Sequence, residues 1–167
     1  MLNPIDKDFS AYNLGTLWAD ATGKSFYMYD GNVGGSFPDR ADIAPATKQL
    51  WRFTPSGNSG HWAQASAATS SPEFSRLVQA FGGSYASANG IGCALGGIIN
   101  DLTSSNYDAE DYIQRIPGIV VYNDTSGEWY NTSSTGFSDS GFAEDGAAHL
   151  VPIFGPEGVF LSESLEH

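Results

Sequence analysis

The stretch 80-AFGGSYASANGIGCALGGII-99 decides how the rest of the chain is read. Glycine-rich runs cradle phosphates, pin tight turns or let backbones pack closely, and context separates these uses. A dinucleotide fingerprint is excluded, because Gly90-Ile91-Gly92 continues to Gly96 and not to a glycine three places on, and no helical pattern follows. A P-loop lacks its Gly-Lys-Ser/Thr, and Gly82-Gly83-Ser84-Tyr85-Ala86 lacks the last glycine of a nucleophile elbow. Turns remain. Asn89-Gly90 between two apolar runs is a strong hairpin signal, since both residues tolerate left-handed backbone angles.

The pattern recurs elsewhere. Leu14 to Gly23 (LGTLWADATG) aligns with Phe81 to Gly90 (FGGSYASANG) at a constant shift of 67, which places Trp18 on Tyr85 and carries Trp62 to Trp129. A third copy runs from Asp145 to Leu161, with Gly155-Pro156-Glu157-Gly158 as its turn. Each repeat resolves into two hairpins. The first hairpins turn at Ala21-Thr22-Gly23-Lys24, at Ala88-Asn89-Gly90 and at Gly155 to Gly158, with Gly82 and Gly83 expected inside an inner strand. The second hairpins run Leu50 to Thr54 into His61 to Gln64, and Ile119 to Tyr122 into Glu128 to Asn131. Helical periodicity is absent except for a short turn around Pro72 to Val78.

Four strands per repeat, an aromatic late in the third and a Trp in the fourth make the chain resemble the Kelch-repeat family, particularly its fungal members, along most of its length. The residues that carry the likeness are Leu95-Gly96-Gly97 at the end of the second strand, and Tyr122 followed seven positions later by Trp129. The resemblance implies an all-β fold of Kelch-like β-propeller blades, each a four-stranded antiparallel sheet, with the glycine pair bending the second strand and the Tyr and Trp packing between blades. One domain is expected over 1–164, with blade 1 at about 12–66, blade 2 at about 78–134 and a half-blade at about 143–162. Leu165-Glu166-His167 reads as a purification-tag scar. In the first repeat Tyr29-Asp30-Gly31 stands where the double glycine is expected, and Phe53 to Trp62 is two residues longer than its counterpart. Two and a half blades cannot close a ring of about four to eight. The chain is therefore expected to be a fragment of a longer protein, to complete a ring with other copies, or to reuse its strands in a compact sandwich or open barrel.

Composition narrows the partners. The 167 residues carry 7 Lys and Arg against 19 Asp and Glu, a net charge of −12, so neither nucleic acid nor an anionic membrane surface is an expected partner. No apolar run reaches 18 residues, so no membrane insertion is expected in this segment. Cys93 stands alone in an apolar stretch, which rules out an intramolecular disulfide. His61 and His149 share no ligand spacing. Galactose-oxidase-like proteins hold copper on a Kelch-type propeller with a Tyr cross-linked to a Cys, but Cys93 has no His pair beside it. No catalytic residue, metal or cofactor is expected.

Function is expected on the long loops between second and third strands, 32–47 and 98–116, which a propeller presents on one face. Their candidate contacts are Phe37, Asp39, Arg40, Tyr107, Asp108, Glu110 and Asp111. The expected role is a non-catalytic binding module for a protein or a glycan. Two other readings stand beside it: part of a larger propeller-scaffolded enzyme, or a homo-oligomer that assembles through its open blade edge. Asn123-Asp124-Thr125 and Asn131-Thr132-Ser133 are sequons, so Asn123 and Asn131 are glycosylation candidates. They favour a secreted or cell-surface location over a cytoplasmic one.

Overall fold

The computed structural model describes residues 12–13, 15–33, 48–100, 103, 114–116, 118–132, 147–151 and 159–163. In chain order they form β1 (Tyr12–Asn13), β2 (Thr16–Ala19), β3 (Phe26–Tyr29), β4 (Asn32–Val33), β5 (Leu50–Ser56) and β6 (Ser59–Gln64). Two short helices follow, α1 (Ser66–Thr69) and α2 (Pro72–Arg76). Next come β7 (Ser84–Ala88), β8 (Ile91–Leu95), β9 (Ile98–Ile99), β10 (Gln114–Arg115), β11 (Ile119–Asn123), β12 (Glu128–Thr132), β13 (Ala147–Val151) and β14 (Val159–Glu163). The fold is all-β, and its pairings are antiparallel throughout the described residues.

Two four-stranded sheets share one topology: β2-β3-β5-β6 and β7-β8-β11-β12, each a meander from its first strand to its last. The hairpin β13-β14 stands third. Asn89 (φ 51°) and Gly90 (φ 78°) form the two-residue turn between β7 and β8, as the sequence predicts. The β5-β6 hairpin runs further than expected, through Pro55 and Ser56. Pro55 is tolerated because β3 pairs only with Leu50 to Phe53, so no neighbour requires its missing N–H. Ser71 caps α2 by accepting a 3.0 Å hydrogen bond from the Phe74 N–H.

The register corrects the constant repeat shift. Trp62 and Trp129 are equivalent, opposite Phe53 and Tyr122, which stand opposite Phe26 and Gly92. Ala19 therefore matches Ser87, a shift of 68, so Trp18 matches Ala86 and not Tyr85. The cause is the first turn. Four residues separate Asp20 from Ser25, which are joined by a hydrogen bond, whereas two separate Ala88 from Ile91. Side chains alternate along a strand, so a one-residue slip exchanges the two faces. Accordingly Trp18 is buried and Tyr85 is exposed. Gly82 (φ 71°) and Gly83 also lie before β7, outside the inner strand expected for them, with Gly82 in a bend.

The sheets stack face to face, with β2 beside β7 and β7 beside β13. The first sheet presents Trp18, Tyr27, Tyr29 and Leu50, and the second presents Ala94, Tyr122 and Trp129. Phe74 from α2 seals the cluster, 5.0 Å from the Trp129 ring. Trp18, 1% exposed, lies over Gly92 and stacks on Tyr29 at 5.5 Å and Tyr122 at 6.3 Å. Its indole N–H donates to the Cys93 carbonyl at 3.1 Å. On the second sheet's other face Ala86 and Cys93 pack against Leu150 of β13 and Phe160 of β14.

Candidate functional site

The ends of the two sheets determine where the long connections leave. Ala80 accepts a 2.8 Å hydrogen bond from Gly31 N at the end of β3, while Phe81 exchanges two with Ile98 beyond β8. One short segment thus ties both strand ends together, and the two connections depart from adjacent points. Phe37, Asp39, Arg40, Tyr107, Asp108, Glu110 and Asp111 all lie outside the described residues. Asn123 and Asn131 are described. The Asn123 side-chain oxygen accepts from Thr125 N at 2.9 Å and Ser126 N at 3.1 Å, shaping the β11-β12 turn. Asn131 is exposed on the edge strand β12.

A second feature lies between the sheets: an open cleft of about 640 Å³ lined by β5, β6, α1 and the β11-β12 turn. Its polar wall is built from the first hairpin outward. The Asp20 carboxylate closes the β2-β3 turn by accepting from Thr22 Oγ1 (3.0 Å), Lys24 N (3.0 Å) and Ser25 N (3.2 Å). Its other oxygen accepts from Arg52 Nη2 at 3.0 Å. Arg52 stands opposite Tyr27 in the ladder and places its guanidinium 5.6 Å from the Tyr27 ring centre. The Tyr27 hydroxyl donates across the gap to Asp124 Oδ1, and Asp124 Oδ2 accepts from Ala21 N at 3.0 Å. Asp124 N in turn donates to Gly90 O at 2.8 Å. Asp20, Arg52, Tyr27 and Asp124 form one chain of polar contacts that clamps the sheets together beside the cleft.

The electrostatics follow from these contacts. Burial acts to raise the Asp20 pKa, but the donors from Ser25, Thr22, Lys24 and Arg52 outweigh it and hold the carboxyl at about 2, against an ordinary 3.8. A folded-state pKa below the unfolded one adds stability above pH 4, and this is lost as pH falls through about 2. The contribution is about 2 kcal/mol. Denaturant unfolding followed between pH 5 and 2 should show this loss in the native chain. Asp20→Asn should lower stability at pH 6 by a similar amount and flatten the acid slope; an unchanged slope would refute the role. Burial, then the bond to Asp124, pushes the Tyr27 hydroxyl far above its usual range, so it stays a donor. Burial, then the Asp124 charge, raises Tyr122 likewise.

Arg52 is the accessible cation of this wall, its side chain 44% exposed, and its remaining N–H groups make no hydrogen bond among the described residues. With Thr54, Gln64, Ser66 and Ser126 around it, the cleft can orient a polar ligand by hydrogen bonding. It holds no activated nucleophile among the described residues. The Cys93 thiol is buried away from the cleft, and that burial raises its pKa to about 11. His61 and His149 are exposed on separate sheets. No group of three or more His, Cys, Asp or Glu among the described residues could hold a metal ion. No described helix is long and apolar enough to cross a membrane.

Sequence reasoning did not single out Tyr27, Arg52 or Asp20, and it treats Asp124 only as the middle of a sequon. Their convergence depends on register and on stacking, neither of which has a local signature. Searches of protein-family models and of curated proteins find no match to this chain.

Proposed function

We propose that this chain is a Kelch-like β-propeller segment that acts as a non-catalytic binding module, recognising a protein or a glycan through the loops that leave the ends of β4 and β9. The observation that carries this reading is the bridge of Ala80 and Phe81, which sets the departure points of both long connections side by side. Two equal four-stranded meanders with adjacent inner strands, and a third hairpin starting the same arrangement, support the propeller assignment. Arg40 and Tyr107 are the contacts to test. A partner captured by the wild-type chain should be lost from Arg40→Ala, Tyr107→Ala at unchanged thermal stability. Undiminished binding would sink the loop-face reading.

One observation favours assembly as a second reading. Tyr130 and Leu161 are 51% and 55% exposed on faces that a complete third sheet and a further neighbour would cover. Light scattering on the purified chain tests it: a discrete oligomer supports ring completion, and a monomer at high concentration rejects it.

A further inference from the structure

The end of β3 repeats the backbone of β8 but not its chemistry. Asp30 and Gly31 adopt φ angles of 62° and 102°, against 68° and 103° at Gly96 and Gly97. The second sheet places glycine at both left-handed positions, while the first keeps a carboxylate at one that an L residue adopts only with strain. The apparent departure of Tyr29-Asp30-Gly31 from the glycine pair is thus a change of side chain alone.

Two side-chain amide oxygens around this bend lack a hydrogen-bond partner. Gln79 Nε2 donates to Gly31 O at 2.9 Å, which holds the amide against the bend, yet Gln79 Oε1 is unpartnered on a residue 6% exposed. Asn32 Oδ1, on a residue 9% exposed, is also unpartnered. Unpaired buried acceptors are rare because desolvating them is costly. Asp30 itself receives a 3.3 Å bond from Ala80 N and faces the Tyr29 hydroxyl, and burial keeps its carboxyl well above the usual range. The Lys48 charge acts on this carboxyl from a distance and lowers its pKa, but the ammonium donates its hydrogen bonds to Ser75 O (2.9 Å) and Leu77 O (2.6 Å) and makes no contact ion pair among the described residues.

A carboxylate with amide oxygens on one bend is the donor set of a hard cation. We propose that Asp30, Asn32 and Gln79 form a binding site for a divalent cation of the Ca²⁺ class at the foot of the loop that leaves β4. The net charge of −12 raises the local concentration of cations around the chain.

The discriminating variant is Asp30→Gly, which installs the residue that the second sheet uses at the same backbone angle. In chelator this variant should melt at or above the wild type, because strain and a buried carboxyl are both removed. Ca²⁺ at about ten times its dissociation constant should raise the wild-type Tm by about 3–6 °C and leave Asp30→Gly unmoved. Calorimetric titration should give one site in the wild type and none in the variant. The proposal is overturned if Ca²⁺ leaves the wild type unchanged, or if NaCl of equal ionic strength reproduces the rise. It also falls if the variant responds equally, or melts well below the wild type in chelator.

Discussion

Trp18→Ala is expected to cost about 3–5 kcal/mol, the range for emptying a buried aromatic site. Four losses coincide. The indole leaves a cavity between the sheets where the side chain is 1% exposed. Its contacts with Tyr29, Tyr122 and Trp129 vanish, at ring separations of 5.5, 6.3 and 6.1 Å. The Cys93 carbonyl loses its 3.1 Å donor, and the first sheet loses an anchor on the second. Urea unfolding followed by fluorescence checks the magnitude. Trp18→Phe should recover part of the loss by filling the cavity without restoring the hydrogen bond. A cost below about 1 kcal/mol for the alanine variant would mean that the sheets do not stack through Trp18.

Gly92→Val carries the second largest effect, about 3 kcal/mol or more. A Cβ at this position would stand 2.3 Å from the Trp18 ring, closer than real Cβ contacts come. The ring has nowhere to retreat, because Tyr29 and Tyr122 flank it in stacked geometry. The valine must therefore spread the sheets or expel the indole. Coupling separates this from a generic strand defect: on a Trp18→Ala background the valine should cost at least about 1 kcal/mol less than it does alone. Strict additivity would place the strain elsewhere.

The turns were legible because each is decided by its own residues. Asn89-Gly90 forms a hairpin wherever two apolar strands flank it, and the ladder follows. Register was less legible, since a constant shift cannot cross hairpins whose turns differ by two residues. Trp18 was consequently matched with Tyr85, on the wrong face. The Asp30-Gly31 bend was hidden for the opposite reason: its backbone is conserved between the repeats while its letters are not. The polar clamp was beyond local reading. Tyr27 meets Asp124 across 97 positions, and Arg52 faces Tyr27 only once β3 and β5 are aligned. Loop residues such as Arg40 and Tyr107 were chosen by position in a repeat, and they lie outside the described residues.

The clamp between the sheets has a consequence for synthesis on the ribosome. Trp18 finds its acceptor 75 residues downstream at Cys93, and Ala21 finds Asp124 after 103. At about 5–20 residues per second the first sheet emerges several seconds before its cover. During that wait Trp18, Tyr27, Tyr29 and Leu50 form an aromatic face with no second sheet to bury it. Vectorial folding therefore exposes this chain to aggregation at its N-terminal end, and holding that face is the task a chaperone would perform for it.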